Sequence, residues 1–256
     1  MSHVTMATDK DCLFLFGGDA PWSAEAWTAS DDRVRGGKSQ SYLDCPSEGG
    51  GKAVFHGTLD ITALGGAGFA SQRTVDDRAP PQPQQHWDLS AYDGVRLKVL
   101  RQGGDGKKYT LTLKDEEVYK RPDGRDQSTI SWEYDFVSPT EGDGGGQDGD
   151  YQVLHVPWAD FKPTYRGKPK PDAPGLDLAN VRRISLMMRS FFGQQEGPFR
   201  LEVAYIAAVK NSSGNAARPV SIASSSSSTG YPEKGGDGGV RSEPKSWLTW
   251  MCGIFK

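Results

Sequence analysis

Two adjacent carboxylates precede a glycine pair and a hydroxyl in the segment 31–39, which reads DDRVRGGKS. Such a set could in principle hold a cation or cradle a phosphate. The spacing of a phosphate-binding loop and the alternating oxygen ligands of an EF-hand are both missing from it. We therefore expect Asp31 and Asp32 to accept backbone N–H groups, with glycine supplying a positive φ, and we keep a ligand site as the alternative.

A second cluster lies in the segment 65–73, GGAGFASQR, where small residues surround Phe69 and the run ends at Arg73. Arg73 could form an ion pair with Asp31 or Asp32. The alternative is a glycine-rich strand entry that lets two backbones approach closely, with Arg73 on a solvated face. The residues alone leave both interpretations open.

The sequence contains no residue pattern that is typical of catalysis. The four histidines are scattered singly, and no nucleophile elbow, zinc-binding helix motif or dinucleotide fingerprint is present. Cys12, Cys45 and Cys252 show neither paired spacing nor a C-x-x-C motif. We predict a protein that is not an enzyme and has no metal site and no cofactor.

Four aromatic residues could line a sugar-binding face, and these are Trp132, Trp158, Phe161 and Tyr165. Large aromatic side chains also dominate the interiors of β-sandwiches. We expect most of the four to fill the core.

Charge and hydropathy exclude other partner classes. The net charge is −3 and acidic residues are interleaved with basic ones, which disfavours nucleic-acid binding. No apolar run is long enough to cross a bilayer as a helix, so we expect a soluble protein. The first ten residues lack the features of a signal peptide or a mitochondrial presequence.

Alternation of apolar and polar residues predicts half-buried strands along much of the chain. The strand candidates are 95–99, 109–113, 130–134, 153–156, 184–188 and 199–203, and 176–180 is predicted to form a short helical turn. A glycine-rich segment, 141–150, is predicted to be a surface loop. Many short strands joined by turns predict an all-β sandwich, of the jelly-roll type, over residues 13–209.

The chain changes character after this domain. Residues 210–246 are rich in serine, glycine and proline, which predicts a disordered linker. Residues 247–256 form an apolar segment that contains Trp247, Trp250 and Cys252. We expect it to dock on the domain or on a protein partner, with peripheral membrane contact or palmitoylation of Cys252 as the alternatives.

Taken in order, several short motifs resemble one known family. They are Asp31-Asp-Arg-Val with the following Gly-Gly and Ser39-Gln-Ser41, Phe55-His-Gly57, Gly68-Phe-Ala-Ser-Gln-Arg73, Tyr92-Asp-Gly94, Val156-Pro-Trp158 and Gly197-Pro-Phe-Arg-Leu201. This order is similar to that of the NADH:ubiquinone oxidoreductase (complex I) intermediate-associated protein 30 family. The resemblance covers residues 16–209 and implies a galactose-binding-like jelly-roll fold.

The resemblance also implies a function. It predicts a non-enzymatic assembly factor, or chaperone, that binds assembly intermediates of mitochondrial respiratory complex I. The motif positions expected to shape a shared binding surface are Asp31, Asp32, Gly37, Ser39, Phe69, Ser71 and Arg73.

Two features of the chain depart from that family. Arg35 stands where the family motif usually has an apolar residue, and no presequence is visible. The resemblance places the protein in mitochondria, and the cytoplasm is the alternative. The alternative function is a carbohydrate- or protein-binding jelly-roll module acting in the cytosol, which the fold class alone does not exclude.

Overall fold

The computed structural model describes residues 11–46, 51–75, 86–122, 124, 126–140 and 150–210. Within these residues, short strands follow one another with a few short 3₁₀ helices between them. The strands are β1 (Cys12–Gly17), β2 (Trp27–Ala29), β3 (Gln40–Asp44), β4 (Ala53–Leu59), β5 (Phe69–Thr74), β6 (Gly94–Leu100), β7 (Lys108–Lys114), β8 (Ser131–Val137), β9 (Tyr151–Pro157), β10 (Lys162–Tyr165), β11 (Lys168–Pro169), β12 (Arg183–Arg189) and β13 (Gly197–Val209).

Antiparallel pairing joins these strands into two sheets. A six-stranded sheet has the order β3-β4-β13-β6-β9, and β1 also pairs with β13. The long strand β13 makes this possible, because β4 pairs with residues 197–203 and β1 with residues 205–209. The seven-stranded sheet has the order β11-β10-β8-β7-β12-β5-β2.

The core lies between the two sheets and is built by alternate residues of their strands. In β6 the side chains of Val95, Leu97 and Val99 are at most 1% exposed, while the intervening residues are less buried. The seven-stranded sheet contributes Leu111 and Leu186, which are both fully buried. Burying an aliphatic side chain of this size is worth about 1.5–3 kcal/mol.

The structure confirms the predicted all-β, galactose-binding-like jelly-roll sandwich. All six strand candidates overlap observed strands, and the predicted helical turn is present as a 3₁₀ helix at Leu178–Asn180. The carboxylate of Asp177 caps this helix by accepting the Ala179 N–H at 3.1 Å. Of the four aromatic residues expected mostly in the core, Trp132 and Phe161 are buried there and Trp158 packs against it, whereas Tyr165 is 37% exposed.

The expectation of uniformly half-buried strands is wrong for β7. Thr110 and Thr112 point away from the core, yet they are only 0% and 6% exposed. Strand β7 is therefore buried on both faces, although its outer face is polar.

Several predictions lie outside the described residues. These are nearly all of the predicted loop at 141–150, the predicted linker, and the apolar segment with Trp247, Trp250 and Cys252. Within the described part of the chain, no helix is long and apolar enough to span a membrane.

Candidate functional site

Asp31 and Asp32 lie where the chain passes from the seven-stranded sheet to the six-stranded sheet, between β2 and β3. Asp32 begins a 3₁₀ helix, Asp32–Arg35, and Asp31 precedes it in an extended conformation. Asp31 is 4% exposed and Asp32 is fully buried. Two carboxylates in such surroundings need hydrogen-bond donors, because burying an unpaired charge is very costly.

The donors to Asp32 come from both sheets. Its Oδ1 accepts the Ser39 N–H at 3.0 Å, and its Oδ2 accepts the Ser39 hydroxyl at 2.7 Å. Oδ2 also accepts the N–H of Phe69, the first residue of β5, at 3.1 Å. Asp32 thus fixes the residue that precedes β3 against the residue that begins β5.

Asp31 repeats this arrangement two residues further along each strand. Its Oδ1 accepts the Ser41 hydroxyl at 2.6 Å and the Ser71 N–H at 3.0 Å. Its Oδ2 accepts the Ser41 N–H at 3.2 Å and lies 3.3 Å from the Arg33 guanidinium. The Ser41 hydroxyl oxygen also lies 3.1 Å from the Ser71 carbonyl oxygen.

We call Asp31, Asp32, Ser39, Ser41 and Ser71 the aspartate–serine cluster. Strand β2 stops pairing with β5 at Ala29, so the N–H groups of β5 at positions 69 and 71 lack a strand partner on that side. The two carboxylates replace that partner, and on the other side they bind N–H groups at the start of β3. The cluster therefore fastens β3 of one sheet to β5 of the other.

Gly36 and Gly37 adapt the backbone to this cluster. Gly36 has a φ of +85°, in the left-handed region that favours glycine. A Cβ atom on Gly37 would lie 2.2 Å from Oδ1 of Asp32, which is far inside van der Waals contact. Gly37 is thus required so that the buried carboxylate can lie against the main chain.

The geometry of the cluster leaves its carboxylates engaged with protein donors. Each of the four carboxylate oxygens accepts at least one hydrogen bond from the chain. Within the described residues, no group of three or more histidine, cysteine or acidic side chains could hold a metal ion. The arrangement suits a structural junction in which both carboxylates are engaged by hydrogen bonds from the chain itself.

The structure does not show the ion pair between Arg73 and Asp31 or Asp32, which is one of the two interpretations that the sequence leaves open. Asp31 pairs with Arg33, and the Arg73 guanidinium lies 3.5 Å from the carboxylate of Asp126. The physical reason is strand alternation, because Arg73 projects from the outer face of β5. Phe69 and Ser71 occupy the same face of β5, four and two residues earlier.

The outer face of the seven-stranded sheet forms a continuous polar surface, which we call the polar sheet face. Strand register places its residues in rows across β5, β12, β7 and β8. The face comprises Phe69, Ser71, Arg73, Thr110, Thr112, Lys114, Glu133, Asp135, Arg183, Ser185, Met187 and Arg189. Several of these polar side chains are less than 10% exposed, among them Thr110, Ser185 and Glu133.

Ion pairs organise the charges of the polar sheet face into two groups. In the first group the Arg189 guanidinium donates to Glu133 at 2.7 Å and to both oxygens of Asp135 at 2.7 and 2.9 Å. In the second group Arg73, Arg183 and Lys120 surround the carboxylate of Asp126 at 3.5, 3.6 and 2.5 Å.

The environment also shifts proton affinities on this face. Burial alone would raise the pKa of Asp126, but Lys120, Arg183 and Arg73 outweigh it and hold that pKa below its usual value. Burial, aided by the charge of Arg183, lowers the pKa of Lys114 to about 8. Perturbed groups of this kind are concentrated at functional surfaces, although structural ion pairs perturb pKa values as well.

One hydroxyl of the polar sheet face has hydrogen-bonding capacity that the protein does not use. In the part of the chain that the structure describes, Oγ1 of Thr112 is buried and has no hydrogen-bond partner. Leaving such a group unpaired costs about 1–3 kcal/mol.

An aromatic turn at residues 190–193 lies at one end of the polar sheet face, between β12 and β13. Phe191 and Phe192 have φ values of +45° and +63°, which residues other than glycine, asparagine and aspartate rarely adopt. Each such residue costs about 1–2 kcal/mol. Phe192 is nevertheless 71% exposed, so burial in the core does not account for this aromatic residue.

Sequence reasoning found the aspartate–serine cluster and three residues of the polar sheet face, which are Phe69, Ser71 and Arg73. It missed the rest of that face. The signal is present in the alternation of strand 109–113, but alternation predicts only a half-buried strand and does not show that its polar positions are buried as well. Nothing in the Phe191-Phe192 pair itself predicts a left-handed turn, because bulky side chains disfavour it.

Comparison with known proteins adds two findings at the level of sequence. The model of the family described as Complex I intermediate-associated protein 30 matches residues 14–203. The uncharacterized protein C9E9.15 of Schizosaccharomyces pombe is 39% identical over 201 residues, which are 77% of this chain and 84% of that protein.

Solved structures give more distant matches. A family 11 carbohydrate-binding module from Clostridium thermocellum, in complex with a mixed-linked tetrasaccharide, superposes with a TM-score of 0.49 and 14% identity. The match covers 78% of this chain and 96% of the module. The same module family from the cellulase Lic26A-Cel5E of that organism gives a TM-score of 0.46 at 14% identity, covering 77% of this chain and 93% of the module.

Proposed function

Because the chain belongs to the complex I intermediate-associated protein 30 family, we propose that it is a non-enzymatic assembly factor that binds intermediates of mitochondrial complex I. The family is an assembly-factor family associated with that complex. The observation that carries the proposal is the family match over residues 14–203, which takes in both sheets and the aspartate–serine cluster.

We assign the polar sheet face as the surface that contacts the partner. It combines buried charges with the unsatisfied hydroxyl of Thr112 and ends at the exposed ring of Phe192. Arginine and aromatic side chains of this kind are enriched at protein interfaces. A surface with fixed ion pairs also discriminates between partners by electrostatic complementarity.

The predicted site residues then divide into two roles. Asp31, Asp32, Gly37 and Ser39 are positioning residues, because they hold β5 in place through buried hydrogen bonds. Phe69, Ser71 and Arg73 lie on the outer side of β5, where they form one border of the polar sheet face.

The first test is a native gel of respiratory complexes from cells that lack this protein, together with fractionation of the tagged protein. We expect the protein in mitochondria, and we expect complex I to be absent or stalled as subassemblies. Intact complex I together with a cytosolic protein would overturn the proposal and favour a binding module with another partner.

A second test locates the surface by comparing matched arginine substitutions on the two sheets. Arg189→Gln removes the bridge to Glu133 on the polar sheet face, and Arg200→Gln removes the bridge to Glu202 on the outer face of the other sheet. We expect only Arg189→Gln to reduce copurification of complex I intermediates. Equal effects of the two variants, at equal melting temperatures, would contradict the assignment of the face.

A further inference from the structure

The aromatic turn keeps a strained main chain. Phe191 and Phe192 have φ values of +45° and +63°, in the left-handed region where a chain that only has to reverse carries glycine or asparagine. The next residue, Gly193, has a φ of +80° and is of the type that this region favours. Strain that persists in a fold collects at binding sites, and it calls for a use of the side chains that impose it.

Hydrogen bonds from both neighbouring strands hold the aromatic turn in one conformation. Next to β5, the Ser190 N–H donates to the Gly68 carbonyl at 3.0 Å. Next to β7, the amide of Gln195 accepts the Lys108 N–H at 3.0 Å and donates to the carbonyls of Lys108 and Arg189 at 2.8 and 2.6 Å. The pairing of β7 with β12 ends one residue short of Lys108 and Arg189, so the Gln195 side chain takes the place of the missing main-chain contact. The turn is therefore preorganised.

The two rings of the turn have different surroundings. The Phe191 ring centroid lies 4.6 Å from both the Arg189 guanidinium carbon and the Lys108 ammonium nitrogen, so two cations pack against this ring. The Phe192 side chain is 71% exposed, the highest value among the large hydrophobic side chains of the described residues. An aromatic ring on a fixed turn loses little conformational freedom on binding, which is the property of an interface anchor.

The charges beside the aromatic turn indicate which partner suits it. Lys107 precedes β7, and its ammonium donates to the main-chain carbonyls of Glu196 and Pro198 at 2.7 and 2.6 Å. Lys108 begins β7, and its ammonium packs on the Phe191 ring. In the part of the chain that the structure describes, no carboxylate forms an ion pair with either lysine. Two cations without an acidic partner favour a binding surface that carries carboxylates.

We propose that Phe192 is an anchor that enters an apolar pocket of the protein partner, and that carboxylates at the rim of this pocket meet Lys107 and Lys108. This inference rests on the proposed function, because it names the contact through which the polar sheet face holds an assembly intermediate. An aromatic anchor in a closed pocket carries a large share of the binding energy, and the charges around it steer the approach. The strained turn presents the ring in its bound position before the partner arrives.

The test compares variants of the full-length tagged protein by quantifying, with mass spectrometry, the complex I subunits that copurify. Phe192→Asn removes the ring and supplies a residue that tolerates a positive φ, so we expect an unchanged or higher melting temperature. We expect copurified complex I subunits to fall about tenfold or more, the loss typical of an interface anchor. The matched control is Tyr119→Asn, because Tyr119 is 63% exposed and follows the opposite end of β7. This variant should copurify wild-type amounts.

A charge reversal tests the rim of the pocket. Lys108→Glu should lower copurification more than Lys108→Gln does, because a carboxylate would repel the acidic rim. The matched control is Lys98→Glu on the outer face of the other sheet, where the Lys98 ammonium lies 4.4 Å from the Tyr151 ring centroid in the same kind of contact. We expect Lys98→Glu to leave copurification unchanged.

The outcomes separate this inference from the proposed function. If the wild type and Phe192→Asn copurify equal amounts of complex I subunits, the proposed function stands and the anchor is refuted. If the wild type copurifies none, the proposed function fails and the anchor fails with it. Self-association or vesicle binding that disappears in Phe192→Asn, with copurification unchanged, would overturn the proposal by assigning the ring to a second copy or to lipid.

Discussion

Replacing Asp32 with asparagine isolates the contribution of one buried carboxylate at nearly constant shape. The carboxylate is fully buried and accepts the Ser39 N–H, the Ser39 hydroxyl and the Phe69 N–H. An asparagine amide has one oxygen where aspartate has two. Whichever way it is oriented, its NH₂ group faces a backbone N–H of either Ser39 or Phe69.

The magnitude follows from that geometry. One buried backbone N–H loses its acceptor, at a cost of about 1–3 kcal/mol, and the remaining hydrogen bonds lose the strength that a charged acceptor gives them. We expect a loss of about 2–4 kcal/mol in the free energy of unfolding, or about 5–15 °C in melting temperature for a domain of this size.

The assay is thermal and urea unfolding of the purified full-length protein, followed by circular dichroism. Asp88→Asn is the matched control. Like Asp32, Asp88 accepts the main-chain N–H of a serine, in this case Ser90, but it does so in an exposed turn. Asparagine caps such a turn nearly as well as aspartate, so we expect no change of melting temperature there. The same small change for Asp32→Asn would refute the view that this carboxylate fastens the two sheets.

Three further outcomes are expected in unfolding experiments. Gly37→Ala should destabilise the protein as much as Asp32→Asn, because the new Cβ would lie 2.2 Å from Oδ1 of Asp32. Gly36→Ala has open space around its Cβ, so it should cost only about 1–2 kcal/mol of backbone strain. Burial would raise the pKa of Glu202, but Lys52 and Arg200 hold it below its usual value. Urea titrations should therefore show the free energy of unfolding of the wild type falling as the pH drops below about 4.5. The fall should be less steep in Glu202→Gln. The pKa of Lys114 is about 8 in the folded protein and 10.5 in the unfolded chain, so the unfolded chain binds more protons between these two pH values. The free energy of unfolding of the wild type should therefore rise across that window by up to about 3 kcal/mol relative to Lys114→Met.

The fold class could be predicted because the strands of the second half of the domain show clear alternation. Strands β6 and β7 and the first half of β13 place large apolar residues at every second position, and this pattern is local. Strands β3 and β5 escaped prediction because they bury serine and glutamine at positions where apolar residues are expected. Their polar residues serve the aspartate–serine cluster.

Sheet order could not be predicted, since it depends on contacts between distant parts of the chain. The pairing of β1 with β13 joins Cys12 to Val209, and no local pattern encodes that register. The partner of Arg73 is distant in the same way. Asp126 lies 53 residues further along, and side-chain chemistry alone could not prefer it over the nearer Asp31.

The residues that carry the family resemblance and the residues of the polar sheet face overlap in β5, at Phe69, Ser71 and Arg73. Asp31 and Asp32 accept hydrogen bonds from main-chain N–H groups, so their hydrogen-bonding capacity is used within the protein. Their effect reaches the surface because Phe69 and Ser71, whose N–H groups they hold, are also members of the polar sheet face. The two aspartates thus determine the geometry of the polar sheet face from beneath it, through the strand that the motif and the face share.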